Sequence, residues 1–184
     1  MYKAAQLILS EPFMADPNFQ RSVVLLCEDH DLDGTVGYVL NQPTGLVISD
    51  LILDISPAAD HPVFIGGPVG HEAVHFIHKC PDRLGGGTAI GNGIYWGGNF
   101  EQLMALLAQG DLGKDEIKFF LGYAGWDPGQ LDGELVENSW VVCDQYNPDI
   151  VFVIDGENLW REALIAMGPK YATLANYPID PRLN

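Results

Sequence analysis

Four groups of residues could do chemistry. The first is His71-Glu-Ala-Val-His75, a literal His-Glu-x-x-His. On a helix this spacing puts two imidazoles on one face for zinc, with the glutamate as base. Here Gly66, Gly67, Pro68 and Gly70 precede it, and Val74, Phe76 and Ile77 favour a strand. On a strand, positions 71 and 75 share a face but lie ~13 Å apart, too far for one zinc. His78 would fall on the face opposite His75. The expectation is two surface histidines, one edge histidine and no metal.

The second group lies in Gly122-Tyr-Ala-Gly-Trp126 and the residues that follow it to Trp140. Gln130 and Glu134 are spaced i, i+4, which puts them on one helical face. Trp126 precedes that helix. The chemical reading is a polar floor of Gln130 and Glu134 beside a Trp126 wall, with Asn41 and His78 converging on the same pocket. The plain structural alternative is that the tryptophans are core and that Gln130 and Glu134 satisfy backbone groups of the surrounding turns.

The third group is glycine: Gly66-Gly67-Pro68, Gly85-Gly86-Gly87 and Gly91-x-Gly93. None matches a P-loop or a dinucleotide fingerprint, and no helix start is evident beside them to hold a phosphate. Glycines in and beside strands serve bulges, turns and close backbone approach. The fourth is Cys27, with Glu28, Asp29 and His30 beside it. It ends an apolar run, where a thiol is a small inert hydrophobe and not a nucleophile. No Gly-x-Ser-x-Gly elbow occurs.

The elements that must position these groups follow from periodicity. Val23–Cys27 is a continuous apolar run, as in a strand buried on both faces. Asp29–Gly34 is a turn cluster, and Thr35–Leu40 resumes as a strand, so a hairpin or meander is expected. Asn41–Gly45 breaks it, and Ile48–Leu53 has helical spacing. His61–Ile65, Val74–His78, Lys118–Ala124 and Ser139–Cys143 read as strands, Ile90–Trp96 as a strand or wide turn, and Arg83–Gly87 as a loop. Asn99 caps a helix that Gly110 stops. Asp127-Pro128 starts a second helix by cap and N1 proline. Glu157–Met167 is amphipathic, with Leu159, Trp160, Ala163, Leu164 and Met167 on its apolar side. The tail from Ala175 has little periodicity. The pattern is α+β: one domain over residues 1–184, with a mixed sheet of partial-barrel curvature flanked by three or four helices.

The totals exclude several function classes. The chain has 184 residues, 25 acidic against 9 Lys plus Arg, and a formal charge of −16. Nucleic-acid binding draws on clustered cations, and the nine here are scattered, so DNA and RNA are poor partners. The same charge disfavours anionic membrane surfaces, and no apolar run approaches the ~20 residues of a span. Cys27, Cys80 and Cys143 are an odd, sparse set that fits a reducing compartment. With no signal-peptide pattern at the N-terminus, a cytoplasmic protein is expected.

Motif order adds a resemblance. Pro12-Phe13, Asp16-Pro-Asn-Phe19 and Arg21-Ser-Val23 are followed by Gly37-Tyr-Val-Leu-Asn41 with Pro43. Val63-Phe-Ile-Gly-Gly-Pro-Val69 with His78 comes next. Then come Gly122-Tyr-Ala-Gly-Trp126 with Gly129-Gln-Leu131, Glu134 and Ser139-Trp140, then Phe152 with Leu159-Trp160, and last Asp180-Pro181 with Leu183-Asn184. From about residue 7 to the end, the chain resembles the YqgE/AlgH family of small bacterial proteins. The resemblance implies a compact mixed α/β domain of the bacterial cytosol with no established activity, cofactor or metal. Some members carry a transcriptional-regulator label; this chain shows no helix-turn-helix pattern. The family has no agreed catalytic residues to carry over. Its shared motifs nominate Asn41, His78, Trp126, Gln130 and Glu134 as a candidate pocket. Gly66, Gly67, Pro68, Gly125 and Trp140 are nominated as structural positions.

A non-enzymatic binding or regulatory protein, acting through a protein partner or a small ligand, is therefore the expected function. An enzyme built on the candidate pocket, a transcriptional regulator and a zinc protease follow in that order.

Overall fold

The computed structural model describes residues 2–30, 34–53, 55, 59–154, 156 and 158–178. In chain order the strands are β1 Leu7–Ser10, β2 Val23–His30, β3 Gly34–Val39, β4 Pro43–Val47, β5 Pro62–Ile65, β6 Val69–His78, β7 Thr88–Gly91, β8 Ile94–Trp96, β9 Ile117–Trp126 and β10 Trp140–Cys143. The helices are α1 Ile48–Leu51, α2 Phe100–Gln109, α3 Gln130–Val136, α4 Leu159–Ala166 and α5 Pro169–Ala172, where α1 and α5 are single turns. Short 3-10 turns occur at Pro17–Phe19, Pro148–Phe152 and Leu174–Asn176. The protein is a single α+β domain.

One 10-stranded sheet runs β10-β1-β2-β3-β9-β6-β8-β7, with β5 pairing β4 and β9 off this path. All pairings among the described residues are antiparallel except β5 with β9. The sheet is mixed, as expected, and β9 is its hub. One edge of β9 pairs with β6 from Val69↔Tyr123 to His78↔Ile117. The other edge takes β5 at Phe119, Phe120 and Leu121, then β3 at Ala124, Gly125 and Trp126. The handover falls at Gly122, which has φ 67°. A Cβ there would lie 2.5 Å from the His71 ring and 2.5 Å from the Val69 carbonyl oxygen. Only glycine fits that swivel.

Two other glycines allow equally close crossings. A Cβ on Gly66 would meet Gly122 O at 2.3 Å, and one on Gly67 would meet the Tyr123 carbonyl carbon at 2.2 Å. Pro68 is exposed just before β6, and Gly125 packs beside the Tyr123 ring.

The β2–β3 hairpin is present, and its strands bury Val23, Val24, Leu25 and Leu26 completely. Residues 31–33 of its expected turn lie outside the described residues. Helix α2 is capped as expected: the Asn99 side chain accepts from Gln102 N–H at 3.0 Å, and Gly110 closes the helix at φ 72°. Helix α4 buries Leu159, Trp160, Ala163 and Leu164, and the Trp160 indole N–H donates to Ser10 O at 2.9 Å.

Four local expectations are corrected. Asn41–Gly45 is not simply a break, because Pro43–Val47 pairs with β5 as an exposed edge strand that starts on its proline. Ile90–Trp96 is part of a β7–β8 hairpin turned at Asn92-Gly93, both with positive φ (52° and 74°). That is the Asn-Gly signature of a type I′ turn. Helix α3 starts at Gln130 and not at Pro128, with Gly129 as its cap. The tail expected from Ala175 opens inside a 3-10 turn, Leu174–Asn176, that places Ala175 in the core.

Candidate functional site

The β9–α3–β10 corner gathers three of the five nominated residues. Gln130 and Glu134 stand one helical turn apart on α3. The Glu134 carboxylate takes the Trp126 indole N–H at 3.0 Å and the Trp140 indole N–H at 2.6 Å on Oε2. Gln130 donates to its Oε1 at 2.8 Å. The Gln130 side-chain oxygen Oε1 accepts from the Asp127 backbone N–H at 3.0 Å, which caps the turn into the helix from the opposite direction to the expected Asp127 cap. Both indoles are 4% exposed. They meet each other edge-on at 5.8 Å, and Phe19 stacks on Trp126 at 6.0 Å. Charged hydrogen bonds of this kind are worth ~1.5–3 kcal/mol each when shielded. The polar floor and aromatic wall are therefore one closed clasp, and Trp140 belongs to it as fully as Trp126.

Asn41 and His78 lie elsewhere. Thr35 pairs with Trp126, and Asn41 is six residues further along the β3 strand and its exit, on the order of 20 Å at ~3.3 Å per residue. Its side chain accepts from Val23 N–H at 2.9 Å and donates to Arg21 O at 2.8 Å. Gly156 packs so closely on it that a Cβ there would sit 2.8 Å from Asn41 Cα. His78 pairs with Ile117, nine residues before Trp126 on β9, which puts it roughly 30 Å from the clasp.

His78 is fully buried, against the edge position expected of it. Its Nδ1 accepts from Cys80 N–H at 3.2 Å, which fixes the proton on Nε2, where it is donated to Gly97 O at 2.7 Å. Burial lowers its pKa, and the carbonyls of Gly97 and Gly86 offset part of that. The five residues do not form one pocket.

What does open beside His78 is a hollow of about 590 Å³ lined by Gly85, Gly87, Thr88, Trp96, Gly97, Gly98 and Asn99. A Cβ on Gly87 would come within 3.0 Å of His78 Nε2. Two glycine loops therefore cover the imidazole and meet at the start of α2. Along the chain no helix start adjoins Gly85–Gly87. The loop reaches α2 across the fold instead: a Cβ on Gly85 would meet the Asn99 side chain at 3.0 Å.

The His71–His75 motif is strand, not helix. His71 Nε2 bonds Gly67 O at 2.6 Å, while His75 packs against Tyr38 and Tyr123 at 5.6 and 6.0 Å. Among the described residues no group of three His, Cys, Asp or Glu is placed to hold a metal ion. Cys27 is buried, and burial pushes its thiol far up, away from a reactive thiolate.

Sequence reasoning passed over Lys118. It is 3% exposed on β9, with its ammonium nitrogen 4.0 Å over the Phe64 ring and 2.6 Å from Val153 O. No other hydrogen bond to it is formed among the described residues, and burial alone takes its pKa down to about 7. The signal was a lysine inside the apolar run Ile117-Lys-Phe-Phe-Leu, in a strand covered on both sides.

The sheet order and its hub strand define a single-domain α+β protein with a mixed sheet. Residues 7–172 match the AlgH-like family. A UPF0301 protein of Cytophaga hutchinsonii is 41% identical over 186 residues, covering 100% of both chains. A second, from Chlorobaculum tepidum, is 37% identical over 99% of this chain and 96% of its own. The solution structure of the AlgH protein from Pseudomonas aeruginosa superposes with a TM-score of 0.73 at 28% identity, covering 95% of this chain and 93% of that one. A crystal structure from Corynebacterium diphtheriae gives 0.76 at 19% identity over 96% and 93%, a likeness of fold. The chain belongs to the UPF0301/AlgH-like family.

Proposed function

We propose that this protein is a non-enzymatic binding or regulatory protein of the bacterial cytoplasm, working by holding a small ligand or a protein partner. One observation carries the reading: the nominated polar groups are already committed to the fold. Glu134 accepts from three side chains, Asn41 is used at both ends by backbone, and both ring nitrogens of His78 are occupied. A general acid or base must be free to reach a substrate proton. The hollow between the glycine loops, with Thr88, Trp96 and Asn99 on its wall, offers a surface for a small polar ligand.

Purification of the native protein, with mass spectrometry of what travels with it, tests the reading. A stoichiometric companion that survives washing unchanged, and that Thr88→Trp displaces, is the expected result. Conversion of the companion to a new product on incubation would overturn it. Nucleic acid is excluded from the proposal by the −16 charge. A mobility shift at low salt checks this, and no retarded band is expected. Among the described residues no helix is long and apolar enough to cross a membrane.

A further inference from the structure

The lysine buried on the hub strand is unused by anything above. Lysine is almost never fully buried without a partner, because removing the ammonium from water costs several kcal/mol. A carboxylate normally offsets that cost. Lys118 has a peptide oxygen and a phenyl face instead. Around it stand Ile77 across the ladder from β6, Phe64 from β5 and Val153 beyond the Pro148–Phe152 turn.

The Val153 end leads outward. Phe152 and Val153 line an open cavity of about 320 Å³ shared with Lys79, Asp115 and Asp149. Val153 is 36% and Ile154 43% exposed, and the Val153 N–H reaches Ile150 O at only 3.4 Å. One loosely pinned peptide therefore separates the amine from the cavity. Lys79 is spoken for, lying 3.1 Å from Asp149 and 5.2 Å over the Phe152 ring.

We infer that Lys118 is a covalent docking point for a small uncharged aldehyde, entering by the Lys79–Phe152–Val153 cavity and captured as an imine. The chemistry needs nothing further. The amine lone pair forms a bond to the carbonyl carbon as the C=O π pair moves to oxygen. Both amine protons then leave with that oxygen as water, and a C=N bond replaces C=O. No electron is gained or lost. The amine must start uncharged, and its burial holds a large uncharged fraction at neutral pH, with a pKa of about 7. Lys3, Lys79, Lys114 and Lys170 have no comparable burial. At about 30 Å³ per water-sized group, the cavity admits an aldehyde of ~10 non-hydrogen atoms. The inference goes beyond the reading above. It concerns a different site, holds the ligand covalently, and stands or falls independently of the glycine hollow.

Propionaldehyde with cyanoborohydride is the probe, applied to the intact folded chain at pH 7 and followed by peptide mass spectrometry of all five lysines. Lys118 is expected to be alkylated at least tenfold faster than Lys114 and Lys170. That advantage should shrink toward pH 9.5 as the exposed amines lose their protons. Lys118→Arg should abolish labelling at that position and leave the other four unchanged. A lysine that only fills space is shielded, so labelling of Lys118 last, or only after unfolding in urea, would overturn the proposal. The wild-type ranking decides the matter even if the variant does not fold.

Discussion

Glu134 and Lys118 sit at opposite ends of the stretch from β9 to α3, and their charges are treated in opposite ways. The carboxylate collects two indole N–H groups and a glutamine amide, and ties two strands and a helix into one corner. The amine has one carbonyl and one ring near the start of a strand buried on both faces. A polar group whose capacity is filled by its own fold is structural, however conspicuous its motif. One left short of partners in a dry place costs stability and needs another reason to be there. The contrast also explains why the Gln130–Glu134 corner, for all its conspicuous motif, is the less promising place to look for chemistry.

Four measurements would break or sharpen the contrast. Glu134→Ala leaves two buried indole N–H groups without an acceptor and should lower unfolding stability by about 3 kcal/mol in urea melts. A loss below roughly 1 kcal/mol would remove the clasp from the argument. Lys118→Met should move the other way, raising stability at pH 7 by about 1–2 kcal/mol, since a buried charge is exchanged for an apolar chain of similar length. Equal destabilisation by the two variants would erase the distinction.

The third measurement is pH dependence. The unfolded lysine keeps its proton to about 10.5, whereas the folded one releases it from about 7. The unfolded state therefore binds more protons in that interval, and stability rises with pH. Between pH 7 and 8.5 the wild type should gain stability at a slope of up to ~1.4 kcal/mol per unit. Lys118→Met should lose that gain. Above pH 9 the buried Cys27, whose thiol is raised, opposes it: its proton stays on in the folded state and leaves in the unfolded one. The smallest effect is expected for Glu134→Gln, about 1 kcal/mol, because the amide oxygen can still accept the indoles without the charge.

Local chemistry made much of the fold readable. Val23–Cys27, the Asn99 cap and the apolar side of α4 are decided by neighbours within a few residues, and each stands where the periodicity put it. The Asn92-Gly93 turn was equally local, and its dipeptide signal was there to be read. The parallel pairing of β5 with β9 was not, because it depends on a chain segment more than fifty residues away. The site divides in the same way. Gln130 and Glu134 share a helical face by spacing alone. The supposed convergence of Asn41 and His78 on them is a long-range claim that the strand registers do not support. Lys118 went unnoticed because strand patterning sees a lone cation as noise until burial on both faces is known.

The handover at Gly122 has a consequence for how the chain is made. Strands β3, β5 and β6 all leave the ribosome before their common partner β9. At ~5–20 residues per second, the interval between the end of β3 and the end of β9 is roughly 4–17 s. Through that interval β3 has an open, hydrogen-bonding edge that other chains can pair with. β1 must wait longer still, for β10. Closure of the sheet therefore waits for β10, and a chain released before Trp140 would lack both that strand and the second indole of the Glu134 clasp.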